Sequence, residues 1–260
     1  MTPQERREWT GRCYAAWLGI SPEEFSNARG VKLYVNPARA QKIAGYPDPV
    51  PLFAAGMDNA LLIACVPEWE KKVRACVAGK DMDGALKALE KLFGKRWNRG
   101  LFHWFDQLNE EIDVSEAAAL TQEDYPPFQA FHMEGYGSRE ESLRTWLPEY
   151  FRKIVAQEKC FGIWQDGNLV SVADGPDMPY LPEIMAEPGI MTLPGYRRRG
   201  YAAAVCAAFL RRQLELGKVP VWGCAADNAA SAALARKLGF QLFGRNYTVR
   251  GDVESFDLEG

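Results

Sequence analysis

The sequence lacks the residue patterns of the common metal, hydrolase and nucleotide sites. Its 260 residues include only two histidines, and none of the six cysteines lies in a C-x-x-C pair, so we expect no zinc site and no other metal. The G-x-S-x-G motif of hydrolases and the G-x-x-x-x-G-K-[ST] phosphate loop are absent. Gly135 and Gly137 are not followed by the third glycine of a dinucleotide fingerprint.

The chain also lacks a long hydrophobic run and an excess of positive charge. The most apolar stretch, residues 50–66, is interrupted by Asp58 and Asn59, which makes it too short and too polar to span a bilayer. The first residues, MTPQERREWT, contain no signal-peptide core. The formal net charge of −3 argues against a basic nucleic-acid surface, and cysteines scattered through apolar stretches are typical of reduced thiols. We therefore expect a cytoplasmic protein without membrane or nucleic-acid partners.

The order of predicted elements indicates an α/β protein with two domains. The polar, acidic residues 107–116 favour a linker, so we divide the chain into residues 1–112 and 113–260. The first part predicts a helix at 3–18, strands at 31–35 and 61–66, and a helix from the cap Asp81 to Gly94. The second part predicts strands at 161–164, 169–173 and 190–193, a helix at 200–216, a strand at 219–224, a helix at 229–238 and a strand at 241–250.

The most informative segment is PGYRRRGYAA at residues 194–203, which joins a strand to a helix. The free amides of a first helical turn, together with the helix dipole, favour an anion such as a pyrophosphate. Gly200 lets the backbone approach such a ligand closely, and neighbouring arginines add charged hydrogen bonds to phosphate oxygens. Taken alone, the pattern Arg-x-x-Gly-x-Ala is more often a solvated basic turn before a surface helix.

A second segment follows the strand at 219–224. Asn228 precedes a helix, where an amide side chain can donate to and accept from a ligand, although it can also be an ordinary helix cap. In this order, the two segments resemble the GCN5-related N-acetyltransferase (GNAT) superfamily over about residues 115–250. The matching pieces are Ile190–Pro194, Tyr196–Ala202, Asn228–Ser231, Lys237–Phe240, and Leu120–Asp124 with its aromatic helix.

The resemblance implies a mixed, mostly antiparallel sheet flanked by helices, with one parallel pair of strands that splay apart. Acetyl-CoA would lie between the strand ending at Leu193 and the strand 219–224. Strand backbone groups would bind the pantetheine arm, loop amides the pyrophosphate, and the asparagine either part of the ligand. The residues so implied are Met191, Thr192, Leu193, Arg197, Arg198, Arg199, Gly200, Tyr201, Ala202, Ala203, Asn228 and, more weakly, Ser231.

The reaction implied is direct attack of a primary amine on the acetyl thioester. A backbone N–H near Thr192 or Leu193 would stabilise the oxyanion. The candidate general bases are acidic side chains near the strand that ends at Leu193, each of which is also consistent with a solvated carboxylate. They are Glu183 and Glu187, with Asp174 and Asp177 behind them.

Four further residues complete the expected site or put it in doubt. His132 and Glu134 are candidates for the acceptor side, although a lone histidine is more often structural. Cys224 can carry an acetyl group or be a small buried hydrophobe. Ala235 stands where many members of the superfamily have a tyrosine that acts as the acid.

Two functions therefore stay open. The first is acetyl transfer to an amine of a small molecule, in a site that residues 1–112 help to enclose. The second is an acetyl-CoA or CoA sensor or scaffold without transferase activity, which Ala235 favours. Residues 1–112 show some of the strand order of a divergent second half of the same fold, and a homodimer also stays open.

Overall fold

The computed structural model describes residues 1–43, 48–137 and 139–256. Over these residues the chain forms nine α-helices and eleven β-strands. The helices are α1 (Pro3–Leu18), α2 (Pro22–Asn27), α3 (Glu70–Val77), α4 (Met82–Phe93), α5 (Tyr125–Tyr136), α6 (Glu140–Arg144), α7 (Leu147–Ala156), α8 (Tyr201–Glu215) and α9 (Ala229–Leu238). The strands are β1 (Gly30–Val35), β2 (Leu52–Met57), β3 (Ala60–Cys65), β4 (Trp97–Phe105), β5 (Ala118–Ala119), β6 (Cys160–Gln165), β7 (Asn168–Asp174), β8 (Met185–Ala186), β9 (Gly189–Thr192), β10 (Val219–Ala225) and β11 (Phe240–Val249).

Local signals set several of these boundaries. Helix α4 begins where Asp81 accepts a hydrogen bond from the Gly84 N–H, 2.8 Å away, which confirms the predicted cap. Helix α9 has Asn228 as its N-cap and Gly239 as its C-cap. The φ of Gly239, 101°, is left-handed and suits glycine. Strands β6 and β7, predicted at 161–164 and 169–173, pair as a hairpin around the turn residues Asp166 and Gly167.

The strands form two sheets. Seven of them follow the order β1-β3-β2-β11-β4-β10-β8, and four follow the order β5-β6-β7-β9. Most neighbours are antiparallel, whereas β1 with β3 and β8 with β10 are parallel. The predicted mixed, mostly antiparallel architecture is confirmed, with a second parallel pair in the N-terminal part of the chain.

Strand β4 joins the two parts of the chain within the larger sheet. It pairs along one edge with β11 and along the other with β10, although it precedes the predicted boundary at residue 112. Strand β11 also pairs with β2, from Val249↔Leu52 to Arg245↔Gly56. Residues 106–117, which include all of the expected linker, contain no helix or strand. The division into two domains stays a prediction, and the sheet itself spans it.

Helices cover both faces of the larger sheet. Because successive strand residues point to opposite faces, Val221 packs with α1 residues such as Leu18, while Trp222 packs with α8 and α9. Helices α5 and α7 cover the smaller sheet. None of the described helices is both long and apolar enough to cross a membrane. The two faces of β10 therefore lie against different parts of the chain.

Candidate active site

A fork in the β-structure forms the centre of the site. Strands β8 and β9 are consecutive pieces of one extended segment, but they belong to different sheets. Met185 and Ala186 pair with the start of β10, whereas β9 pairs with β7. Glu187 and Pro188 lie at the branch point. Beyond them β9 runs beside β7 and does not pair with β10, which is the splayed arrangement that the resemblance implies.

The hydrogen-bond pattern of β9 determines which backbone groups face the fork. The Leu193 N–H donates to the Val170 carbonyl at 3.0 Å, so it is already occupied. Thr192 pairs with Ser171 in the next register position, and the alternation of antiparallel ladders directs its N–H and C=O away from β7. Of the two expected oxyanion donors, the Thr192 N–H is therefore the one on the open side.

The same alternation separates the other residues of β9. Met191 pairs with Val172, in a position whose backbone groups point to β7. Ile190, which the sequence argument did not single out, lies in the outward-facing register together with Thr192. The Thr192 side chain is buried and lies 2.8 Å from the Ser171 hydroxyl. Backbone contacts to a ligand in the fork are therefore available from Ile190 and Thr192 more than from Met191.

Glu187 occupies the branch point with its side chain. Its Oε1 accepts a hydrogen bond of 2.5 Å from the Gly223 N–H on the open edge of β10. Burial raises the pKa of this carboxyl, although the bond from Gly223 opposes that shift. Glu183 lies on the exposed surface, and its carbonyl accepts a bond of 2.7 Å from Lys218 Nζ. Of the two leading base candidates, Glu187 is the one at the fork.

The loop after β9 presents free amides at the start of α8. Gly200 has φ 90° and α8 begins there without a side-chain cap. In the described part of the chain, the N–H groups of residues 198–202 donate to no backbone carbonyl. A Cβ at Gly200 would meet nothing within 4 Å, so the space in front of these amides is open. Such a helix start suits an anionic group.

Two arginines of this loop donate hydrogen bonds to nearby backbone carbonyls. Arg197 Nε donates to the Thr192 carbonyl at 3.0 Å, which ties the loop to β9. Arg199 Nη2 donates to the Gly195 carbonyl at 3.2 Å and stacks over Tyr196. Arg198 adopts the left-handed conformation with φ 61° and is exposed. Arg197 and Arg199 thus shape the loop, and phosphate contacts from their side chains stay a prediction.

Asn228 and Ser231 connect α9 to β10. Asn228 Oδ1 accepts a bond of 3.0 Å from the Ser231 N–H, which makes it a helix cap. The Ser231 hydroxyl accepts a bond of 3.0 Å from the Trp222 indole. Both residues therefore have structural roles, and contact with a ligand stays a prediction for each.

A cavity of about 920 Å³ opens on the face of the larger sheet that α1 covers. Much of its wall comes from α1, β2 and β4, so residues from the first part of the chain enclose it. Glu187 and the open edge of β10 form the opposite side, which connects the cavity to the fork. The lining side chains include Cys13, Tyr14, Trp17, Val50, Phe53, Trp97, Asn98, Arg99, Met178, Glu187, Val221, Cys224, Asp227, Asn246, Thr248 and Arg250.

The expected acceptor-side residues on α5 do not line this cavity. His132 is buried, and its ring packs against those of Phe128 and Tyr136. Burial lowers the pKa of His132 to about 4, so the imidazole is neutral at pH 7. Glu134 is exposed on the same helix. The structural interpretation therefore suits His132 better.

The remaining candidate bases also have partners elsewhere. Asp174 accepts a bond of 2.7 Å from the Tyr150 hydroxyl, and Asp177 forms ion pairs with Lys153 and Lys159. Burial raises the pKa of the Cys224 thiol, which disfavours a reactive thiolate. Ala235 is fully buried beside α8. No cluster of three or more potential metal-binding side chains occurs among residues 1–43, 48–137 and 139–256.

Comparisons with known proteins agree with this architecture. Residues 150–249 match the family model described as GNAT acetyltransferase. The uncharacterized N-acetyltransferase YdfB of Bacillus subtilis (strain 168) is 44% identical over 64 residues, which are 25% of this chain and 24% of that protein. The match therefore spans about a quarter of that relative's length.

Solved structures are similar to this chain to different extents. An acetyltransferase from the GNAT family of Colwellia psychrerythraea superimposes with a TM-score of 0.54 at 15% identity, over 73% of this chain and 76% of that one. A GCN5-related N-acetyltransferase-like protein from Streptococcus suis 89/1591 covers 95% of this chain and 99% of its own, with a TM-score of 0.45 and 18% identity. The Colwellia structure shares the fold, and the family model matches the segment that contains the fork and the loop. Residues 150–249, which contain the fork and the loop, are therefore similar to the GNAT acetyltransferase family.

Proposed function

We propose that this protein transfers the acetyl group of acetyl-CoA to a primary amine of a small molecule. The observation that carries the proposal is the fork between β9 and β10, which has free amides at one end and a carboxylate at the branch point. Its geometry combines a place for a long anionic thioester with an enclosed cavity for an amine.

The residues around the fork fit acetyl-CoA. The N–H groups of residues 198–202 and the dipole of the 15-residue helix α8 suit its pyrophosphate. The outward-facing backbone groups of Ile190 suit the amides of its pantetheine arm, as an added strand would pair. When bound, acetyl-CoA supplies a thioester carbonyl that an amine can attack.

Glu187 is the general base in this proposal. It reaches both the fork, through Gly223, and the cavity that would hold the amine. Its raised pKa brings the carboxylate closer to the basicity that proton removal requires near neutral pH. The carboxylate takes the proton of the attacking amine while the Thr192 N–H donates toward the carbonyl oxygen. A thiolate leaves without the tyrosine that Ala235 replaces, because a thiol is acidic enough near neutral pH.

Thermal unfolding with acetyl-CoA, CoA, NADH and ATP in parallel tests the binding step. A ligand that binds only the folded protein adds about 2.7 kcal/mol to its stability at 100 times its dissociation constant. We expect acetyl-CoA and CoA to raise the melting temperature and the other two to leave it unchanged. No shift with millimolar acetyl-CoA would contradict the proposal.

A pair of glycine variants tests whether the pyrophosphate of acetyl-CoA binds at the start of α8. Gly200 and Gly217 both have left-handed φ angles, 90° and 74°, and a Cβ at either would meet nothing within 4 Å. Replacement by alanine should therefore cost a similar 1–2 kcal/mol of strain, by the rough cost of that conformation. Only Gly200→Ala lies beside the free amides, so it alone should weaken the acetyl-CoA shift. Equal shifts in the two variants would remove the pyrophosphate from this loop.

The second candidate function is an acetyl-CoA sensor without transferase activity. The buried Ala235 favours it, since no tyrosine on α9 reaches the fork from that position. Thiol release distinguishes the two functions. A transferase releases free CoA in proportion to added amine, whereas a sensor binds acetyl-CoA and shows no amine-dependent release.

A further inference from the structure

The wall of the 920 Å³ cavity indicates which amines the protein accepts. We propose that the acceptor is a monoamine on an apolar, aromatic body, in preference to a polyamine or an amino sugar. This inference rests on the proposed function, because it assigns the amine substrate of the same site.

The side of the cavity formed by α1 and β2 is aromatic. We call Cys13, Tyr14, Trp17, Val50 and Phe53 the inner wall. All five are at least nine-tenths buried, and the rings of Trp17 and Phe53 stack with centroids 5.1 Å apart. Such a surface binds apolar bodies and ring systems. The inner wall itself offers few hydrogen-bond partners to sugar hydroxyls. The polar side chains of the lining, which include Asn98, Asn246 and Thr248, lie on other elements.

One carboxylate faces the inner wall. The pKa of the Cys13 thiol is raised to about 12, mainly by burial and to a smaller extent by the charge of Glu187. The same charge acts on Cys224 across the cavity, so Glu187 lies within electrostatic range of both sides. The other lining carboxylate, Asp227, is exposed beside the start of α9. The Glu187 carboxylate can therefore attract a single ammonium group next to the aromatic inner wall.

A buried cation lies directly behind the inner wall. Arg39 is 2% exposed, and it donates to the carbonyls of Val50 and Trp17. Its guanidinium carbon is 5.4 Å from the centre of the Phe53 ring. Burial lowers the pKa of Arg39 to about 10, which still leaves it charged at neutral pH.

No carboxylate neutralises this cation within the described part of the chain. Arg39 forms no ion pair there, and its Nη2 has no hydrogen-bond partner. Its positive potential extends through the inner wall into the cavity. Of the arginines that line the cavity, Arg99 is paired with the carboxylate of Glu90. A second ammonium group on the acceptor meets repulsion that a monoamine avoids.

Calorimetric titration of the protein in the presence of CoA tests this preference directly. The probes are 2-phenylethylamine, glucosamine and spermidine. We expect 2-phenylethylamine to bind at least tenfold more tightly than the other two, and to give the largest amine-dependent thiol release with acetyl-CoA. Equal or tighter binding of glucosamine or spermidine would overturn the proposal.

The two proposals fail in different ways. If acetyl-CoA raises the melting temperature but the aromatic amine shows no preference, the assignment of the acceptor is wrong and acetyl-CoA binding stands. If the aromatic amine binds as expected but acetyl-CoA causes no shift, the cavity assignment stands and the transferase proposal fails.

Two variants locate the effect. Phe53→Leu removes the central ring of the inner wall and should raise the dissociation constant of 2-phenylethylamine about fivefold to tenfold. Phe151→Leu, a buried ring that packs in the core of the smaller sheet, should leave it unchanged. Arg39→Met should tighten spermidine binding several-fold without that effect on 2-phenylethylamine. Equal effects of the two phenylalanine variants would contradict the location even if Arg39→Met fails to fold.

Discussion

Replacing Glu187 by glutamine isolates the charge at the branch point of the fork. Glutamine has the same shape and keeps an oxygen that can accept the hydrogen bond from the Gly223 N–H. A positioned general base contributes roughly 10²–10⁴ in rate, which corresponds to about 2.7–5.5 kcal/mol in the activation barrier. We therefore expect Glu187→Gln to lower kcat/KM by at least 100-fold while the acetyl-CoA thermal shift is retained.

The pH dependence gives the same prediction a second readout. Because the base acts in its ionised form, kcat/KM should rise with pH through the pKa of Glu187, which lies above the ordinary 4.5. The raised pKa also means that the folded state binds this proton more tightly than the unfolded state. The free energy of unfolding should then fall as pH rises from 4.5 through the folded-state pKa. Glu187→Gln should lack both changes.

Thiol release with the preferred amine measures the rate, and urea unfolding across pH measures the stability. Asp227→Asn is the matched control, since it removes an exposed carboxylate from the same cavity and should change kcat/KM less than threefold. A Glu187→Gln protein within threefold of the wild type, with its ascending pH limb intact, would refute the assignment of the base.

Two further predictions concern stability and are measured by urea unfolding. Gly239→Ala should cost more than 2 kcal/mol, by the rough cost of combined strain and overlap, because φ is 101° and its Cβ would lie 1.7 Å from the Gln107 carbonyl oxygen. Gly79→Ala, with φ 68° and open space around it, should cost only about 1–2 kcal/mol, and equal losses would contradict the contact. Asp177→Asn should cost about 1–3 kcal/mol, since it leaves Lys159, 5% exposed, without its ion pair. An unchanged unfolding midpoint would show that Lys159 is not stabilised by this pair.

Elements with local signals could be predicted from the sequence. Helix α9 has exactly the predicted bounds because both of its ends carry a cap, Asn228 and Gly239. The hairpin of β6 and β7 follows from the turn residues between them. Strand β4, by contrast, was not predicted. Its aromatic residues are separated by Asn98, Arg99 and Gly100, so the sequence shows no continuous apolar run or alternation. Its pairing also depends on strands more than a hundred residues later in the chain.

The candidate site divides in the same way. The loop at 194–203 and the carboxylate Glu187 were both identified from residue types near the end of a strand. The sequence did not distinguish Glu187 from Glu183, because the choice depends on the pairing of β8 with β10. The occupied N–H of Leu193 follows from its bond to Val170, which no local pattern shows. The contribution of α1 to the cavity is likewise a property of tertiary packing.

The position of β4 between β10 and β11 has a consequence for how the chain folds during synthesis. On the ribosome β4 emerges long before either strand that will flank it, so its two edges wait without partners while more than a hundred residues follow. The larger sheet closes only when β11, near the end of the described chain, has left the exit tunnel. Formation of the sheet is therefore slow, as expected for pairings of high contact order. Until then the exposed edges of β2 and β4 are the places where a nascent chain is most prone to pair with a neighbour.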